Sequence, residues 1–262
     1  MIPPEALESP LLCRLGFRHA FFTRRGGISE GPHASLSFSV AAGDRPEAVE
    51  ENLTRAAAAL GVSPGHVYYL SQVHGRAVHT LGGGEDRVEV LHREGDALVS
   101  AAEGQAVGVR SADCLPVLFA DPRSGRVAAA HAGWRGLVAG VLGATVDSLV
   151  ALGARPAELV AAIGPHIGAA AFEVSEEVAA QLVSASPDPE VVARAPGGRP
   201  HVALGRVARA QLLSAGLAPA HVESVEGCTR SEPHRFFSFR RDGRVSGRHL
   251  SAIVPRPGGS PG

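Results

Sequence analysis

The chain has 262 residues, a formal net charge of −1 and no lysine, so apart from histidine every basic side chain is an arginine. Schiff-base chemistry and a P-loop phosphate lysine are thereby excluded, and no overall field favours nucleic acid or an anionic membrane. The apolar fraction of 45% against 19% charged residues is that of an ordinary globular protein with a substantial buried core.

Residues 1–17 read as a lead-in. Met1-Ile-Pro-Pro-Glu5 lacks the basic and apolar regions of a secretory signal, so a cytoplasmic location is expected. His19 to Phe22 is a short apolar strand that breaks into a glycine turn with Arg24 and Arg25. Asp44-Arg-Pro-Glu47 has the form of a helix start, with Asp44 as N-cap and Glu47 closing a capping box; Gly61 is the stop. Val67 to Val73 is strand-like and delivers His74 and Gly75 to its end, and Asp96 to Val99 is a further short strand.

The stretch from Gln105 to Gly136 predicts a strand, a loop carrying Asp113 and Cys114, a second apolar strand, a turn and a third strand ending at His131. The chain then passes through Gly133 and Gly136 into a buried helix over residues 137–152. Residues 158–163 form a strand that ends in the loop around His166. Ser175 starts a helix reaching about Val183, residues 184–200 read as a surface excursion, and Leu204 to Ala215 is helical. Val222 to Val225 leads to Cys228, and a last unit holds Phe236, Phe237 and Phe239, read as core residues. Strands and helices mix without strict alternation, which favours one mixed α+β domain over residues 18–254, with residues 255–262 as a flexible tail.

Cys13, Cys114 and Cys228 are odd in number and far apart, which argues against a disulfide framework. His74, Cys114 and His131 each sit beside a glycine or a turn at a strand end. Their separations are far wider than the roughly two- to five-residue spacings within zinc ribbons and fingers, so spacing alone is a weak metal signal. One Cys and two His nevertheless make a three-donor set with an open fourth position, where zinc lowers the pKa of bound water to about 7. A packing cysteine and hydrogen-bonded loop histidines would give the same pattern. A third reading is a Cys114 thiolate with His131 or His74 as base and Asp113 or another acid as orienter. Arg24, Arg25, Arg135, Arg240 and Arg241 lie in loops and could grip phosphate or carboxylate; Arg135 stands beside a helix start. Trp134, the only tryptophan, is a packing residue or a substrate wall, and His166 and Cys228 read as structural loop residues.

Phe22-Thr-Arg-Arg-Gly-Gly-Ile-Ser29, Gln72-Val-His-Gly75, Ala112-Asp-Cys-Leu-Pro-Val117, His131-Ala-Gly-Trp-Arg-Gly136, Gly164-Pro-His-Ile-Gly168, Gly227-Cys-Thr229 and the segment from Phe236 to Arg244 together resemble the YfiH/laccase-domain family. They fall in that family's order and cover nearly all of residues 18–254. The resemblance implies a single-domain layered α/β/β/α sandwich with mixed sheets, distantly like cysteine hydrolases. It also implies one metal, usually zinc with copper possible in the same site, on His74, Cys114 and His131.

The implied activity is phosphorolysis of adenosine, inosine and methylthioadenosine together with deamination of adenosine, so the expected partners are purine nucleosides and phosphate. On that reading Asp113 is nominated to shuttle protons, and Gln72, Arg24, Arg135 and Arg240 to bind substrate or phosphate. A metal-independent cysteine hydrolase or deamidase using Cys114 is the alternative. The older polyphenol-oxidase label fits poorly, because none of the 12 histidines lies two residues from another, as the paired copper ligands of such enzymes do. The chain departs from the family pattern at Ser37, Phe172, Ala203 and Phe239; Ser37 and Phe239 are the departures that could alter substrate contacts.

Overall fold

A computed structural model of the chain describes residues 3–194 and 196–257. In chain order the strands are β1 (Ala6–Leu7), β2 (His19–Phe22), β3 (Val67–Tyr68), β4 (Val78–Leu81), β5 (Ala97–Ser100), β6 (Ala106–Ser111) and β7 (Leu115–Ala120). They continue as β8 (Val127–Ala132), β9 (Val160–Ile163), β10 (Val192–Ala193), β11 (His201–Val202), β12 (Val222–Ser224) and β13 (His249–Ile253). The helices are α1 (Pro10–Arg14), α2 (Pro46–Leu60), α3 (Arg87–His92), α4 (Trp134–Ala139), α5 (Val141–Ala151), α6 (Glu176–Ser184), α7 (Leu204–Ser214) and α8 (Phe239–Asp242).

Two mixed sheets pack face to face. One has the order β1-β2-β13-β6-β3 and the other β12-β9-β7-β8-β5-β4. Alternation along the strands decides which side chains go where. Val107 and Val109 of β6 meet Leu118 and Ala120 of β7 and Val127 and Ala129 of β8 between the sheets. The opposite set, Val117 and Phe119 of β7 with Ala128 and Ala130 of β8, packs outward against α4, α5, α6 and α7. On the far side, Ala20 and Phe22 of β2 and Leu250 and Ala252 of β13 are covered by Leu53, Ala56, Ala57 and Leu60 of α2. The result is the expected α/β/β/α sandwich in a single domain, and strands apolar on both faces are what a sheet buried on both sides requires.

The predicted strands of the central stretch are present, but β6 belongs to one sheet while β7 and β8 belong to the other. The loop carrying Asp113 and Cys114 is therefore the crossing between sheets. The expected strand over residues 67–73 is only two residues long, because the Gln72 side chain takes over the pairing: its amide oxygen accepts the Arg110 N–H and its amide nitrogen donates to the Arg110 carbonyl, both at 2.7 Å. The helix start at Asp44 is corrected in detail. Arg45 occupies the N-cap of α2 without a side-chain cap, and Asp44 instead accepts from the Ser29 hydroxyl at 2.7 Å. Gly61 ends that helix in the left-handed conformation, as expected.

The helix predicted over 137–152 is two helices, broken at Gly140 with φ 82°. The lead-in is part of the fold, since β1 pairs with β2; residues 1 and 2 lie outside the described residues. Of the expected tail, residues 258–262 lie outside them too, while Arg256 is anchored by its amide to Gly125 and by its guanidinium to the Pro122 carbonyl. β13, in the middle of its sheet, was not among the predicted strands.

Candidate metal centre and active site

The donor atoms of His74, Cys114 and His131 all lie within 4.8 Å of one another. Each comes from a different structural context. His131 is a buried residue of β8, Cys114 follows the crossing loop at the start of β7, and His74 is exposed on the loop after β3. Two of these contexts carry unusual backbone. His74 has φ 59° and Asp113, immediately before Cys114, has φ 92°, a region that side chains other than glycine rarely adopt.

Hydrogen bonds hold both. Asp113 accepts from the Thr229 hydroxyl at 2.6 Å, the Ser238 hydroxyl at 3.0 Å and the Arg240 N–H at 2.6 Å. The loop of His74 is held by Asp96, which accepts the N–H groups of His74 at 3.0 Å and Gly75 at 2.6 Å.

Asp96 also accepts from His131 Nδ1 at 2.8 Å. With Nδ1 as the donor, His131 Nε2 is left with its lone pair for a metal. Asp96 is fully buried; burial alone would raise its pKa, but the bonds from His131, Gly75 and His74 outweigh that and hold it below the ordinary carboxylate value. One carboxylate thus fixes two of the three donors. Burial likewise pushes the Cys114 thiol up, yet the charge and hydrogen bond of His131, helped by His74, bring it down; Cys114 and Asp96 in turn raise His131 against its own burial. The site favours a thiolate.

One soft sulfur and two imidazoles suit zinc or copper, and not the oxygen-seeking magnesium or calcium. Gly133 makes the space: a Cβ there would lie 2.9 Å from Cys114 Sγ and 3.1 Å from His74 Cδ2. Among the described residues this is the one cluster of three or more such donors, and it fits a single ion.

The cluster lies in a cavity of about 910 Å³. Its polar and basic lining includes Ser39, Ser71, Arg110 and Arg248, with Arg110 on β6 and Arg248 just before β13. Its apolar and aromatic lining, Trp134, Phe172, Val174 and Val178, belongs to the core cluster on the outer face of the other sheet. Phe239, which replaces a tyrosine of the family pattern, sits at the cavity and is 48% exposed, whereas Phe236 and Phe237 are core residues as expected.

The structure brings some nominated residues to this cavity and not others. Arg135 lines it, stacked on Trp134 at 4.4 Å, and so does Arg240, which lies over the Phe172 ring at 5.3 Å and donates to the Glu173 carbonyl. Gln72 lines it too, but its amide is engaged by Arg110. Arg24 does not reach it: its guanidinium donates to the carbonyls of Ala34 and Pro233 and stacks on Phe237. Asp113 borders the cavity with Oδ1 engaged by Thr229 and Oδ2 by Ser238 and Arg240, which makes it a tether for the Cys114 loop. The sequence reading missed Asp96, whose signal was an acid directly before a strand, and missed Arg110 and Arg248.

The comparisons with known proteins point to one family, although the family's description and its members' names state different activities. The family described as multi-copper polyphenol oxidoreductase laccase matches residues 18–256. A protein of Deinococcus radiodurans named purine nucleoside phosphorylase is 42% identical over 255 residues, covering 95% of this chain and 93% of its own. The purine nucleoside phosphorylase YfiH of Escherichia coli is 39% identical over 88% of this chain and 90% of its own. The crystal structure of YlmD from Geobacillus stearothermophilus is 30% identical, covers 97% of this chain and 100% of its own, and superposes with a TM-score of 0.87.

Proposed function

The chain belongs to the family described as multi-copper polyphenol oxidoreductase laccase, and from that premise we propose that it is a zinc-dependent purine nucleoside phosphorylase that also deaminates adenosine. The observation that carries this reading is the convergence of His74, Cys114 and His131 in a cavity large enough for a nucleoside. The names of the relatives support the phosphorylase part. Adenosine, inosine and methylthioadenosine are the proposed substrates, and the cytoplasm the proposed location. No helix among the described residues is long and apolar enough to cross a membrane.

His74, Cys114 and His131 would hold the ion, and zinc there would supply a Lewis acid with an open position for an oxygen ligand. The protein's own residues do the rest. Asp96 keeps the proton on His131 Nδ1 and so presents Nε2 inward. Trp134 and Phe172, with Arg135 and Arg240 lying over their rings, form a mixed aromatic and cationic surface for a purine, while the other basic side chains receive an anion. In phosphorolysis a phosphate oxygen attacks ribose C1′ and the bond to purine N9 breaks, its electron pair leaving with the base. In deamination water adds at C6 of adenine and ammonia leaves. A multicopper oxidase needs several coppers, and the single three-donor cluster among the described residues does not provide them; copper in this one site remains compatible with its donors.

The test is phosphate-dependent release of base and ribose 1-phosphate from inosine and adenosine, with metal content measured in parallel. His131→Ala should lose metal and both activities together. Phosphorolysis that survives in metal-free His131→Ala would remove the metal from the mechanism.

One observation favours a second reading. Cys114, His131 and Asp96 also form the thiolate, imidazole and carboxylate series of a cysteine hydrolase. Activity of metal-free protein that is abolished by stoichiometric alkylation of Cys114 would select it.

A further inference from the structure

Two of the guanidinium groups that line the cavity lie on or directly beside neighbouring strands of one sheet and have no acid partner among the described residues. Arg110 lies on β6 and Arg248 immediately precedes β13. His249 pairs with Ser111 and Leu250 with Arg110, so alternation puts Arg248 and Arg110 on the same face of the sheet, about one pleat apart. Both line the cavity, with Ser39 beside them. Among the described residues neither forms an ion pair with a carboxylate.

Arg110 stacks on Tyr69 at 4.4 Å and donates only long hydrogen bonds, to the carbonyls of Phe38 at 3.3 Å and Leu70 at 3.4 Å. Its buried Nε has no partner at all. Arg248 donates through one Nη to the carbonyls of Ser246 and Gly247 and leans on Phe239. Burial and then the charge of Arg110 lower the pKa of Arg248. The negative groups that reach Arg248 are Cys114 and Asp113. Neither is a free counter-charge, since Cys114 belongs to the donor cluster and Asp113 is engaged by Thr229, Ser238 and Arg240.

Arg110 and Arg248 are half-buried and have no acid partner, and an anion in the cavity would offset the cost of holding two like charges on one face of a sheet. Guanidinium forks match tetrahedral oxyanions through paired hydrogen bonds. Of the other arginines of the cavity, Arg199 pairs with Glu173, while Arg135 and Arg240, which also lie over aromatic rings, come from the short helices α4 and α8 and not from the β6–β13 pair.

We infer that Arg110 and Arg248 are the seat of the phosphate co-substrate, with the nucleoside held beside Trp134 and Phe172 in the same cavity. The assignment rests on the phosphorylase reading for the identity of the anion, while the anion seat itself rests on the geometry. In the reaction a phosphate oxygen held by the two arginines forms the bond to C1′ as the bond from C1′ to N9 breaks, and the purine leaves with that electron pair.

The experiment compares wild type with Arg248→Gln, Arg248→Lys and Arg110→Gln in metal-loaded protein, with circular dichroism to certify folding. Where Arg110→Gln fails to fold, the Arg248 pair carries the test alone. Calorimetric titration with inorganic phosphate and steady-state kinetics with inosine are the two readouts. The glutamine variants should raise the phosphate Kd and KM at least about tenfold, the scale of one lost charge-assisted hydrogen bond, and leave the inosine KM within about twofold. Lysine should restore part of the loss.

Unchanged phosphate Kd and KM in folded Arg248→Gln would overturn the seat. If wild type binds phosphate through these arginines yet releases no base, the phosphorylase reading fails and the anion seat stands. If inosine 5′-monophosphate binds wild type at least about tenfold more tightly than phosphate, and Arg248→Gln removes that advantage, the seat serves a phosphoryl group of the substrate and the co-substrate assignment is overturned.

Discussion

Asp96 and His131 are joined by a 2.8 Å hydrogen bond between a fully buried carboxylate and the Nδ1 of a buried imidazole, and the same carboxylate accepts the backbone N–H groups of His74 and Gly75. The metal-facing geometry of His131 and the loop conformation of His74 therefore share one cause. Asp96→Asn keeps the shape but removes the charge and turns one acceptor into a donor. The expected outcome is a fall of about 10- to 100-fold in metal affinity, with activity regained when excess zinc is supplied. Competition with a chromogenic chelator measures it. Unchanged affinity in a folded variant would show that Asp96 is not what orients the donors.

Cys114 is expected to be the group that reports metal occupancy. In metal-loaded protein its sulfur should be held as a ligand and resist iodoacetamide; after chelation the thiolate, favoured by His131, should alkylate readily. Elemental analysis of tag-free protein should give about one metal per chain, lost in Cys114→Ala. Cys228, partly buried and bonded to the Gly168 N–H and the Ser231 hydroxyl, serves as the internal comparison. Equal alkylation of Cys114 before and after chelation, read by peptide mass spectrometry, would remove it from the ligand set.

The three donors were legible in the sequence because each is embedded in a local motif at the end of an apolar run. The layered fold followed from the resemblance those motifs carry. Their mutual proximity was not legible from spacing, since it depends on the chain crossing from one sheet to the other between β6 and β7. Asp96 was invisible as a positioning group for the same reason: it meets His131 across a strand pair and His74 across a loop. β13 escaped because Ser251 interrupts its apolar pattern, and its partners β2 and β6 are remote in sequence. Arg24 looked like a phosphate contact because it sits in a glycine turn; backbone carbonyls from distant segments claim it instead.

His249 is expected to make the fold acid-sensitive. Its Nε2 accepts the Phe237 N–H at 2.9 Å and its Nδ1 donates to the Ser111 carbonyl at 3.1 Å, so the fold needs the neutral ring. Burial, reinforced by Arg24, Arg248 and Arg241, holds its pKa at about 3, well below the ordinary value. An unfolded chain would take up the proton near pH 6.5, so stability present above that pH is lost progressively as pH falls toward 3. The slope from this residue is at most about 1.4 kcal/mol per pH unit. His19, buried and also lowered, adds a similar dependence. Urea unfolding of metal-free protein between about pH 6.5 and 4.5, above most carboxylate titrations, should show a shallower slope in His249→Gln than in wild type. Identical slopes would mean that His249 is not held neutral by the fold.

Gly133→Ala separates the space at the metal centre from its chemistry. Gly133 is the N-cap of α4 with φ −66° and ψ 168°, a conformation that alanine adopts freely. No backbone strain is therefore introduced, and the loss of a preferred cap residue costs at most about 1 kcal/mol. The new methyl group falls instead 2.9 Å from Cys114 Sγ, closer than side chains tolerate, and 3.1 Å from His74 Cδ2, close enough that the imidazole must give by a few tenths of an ångström. His74 is exposed and has room to move, whereas Cys114 is anchored through Asp113 to Thr229, Ser238 and Arg240. The displacement should thus fall mainly on His74, opening the donor set while His131 and its bond to Asp96 stay in place. The expected result is a small change in Tm for metal-free protein together with a loss of metal affinity on the order of tenfold or more. A large drop in metal-free Tm with unchanged affinity per folded molecule would instead make Gly133 a packing requirement of the fold.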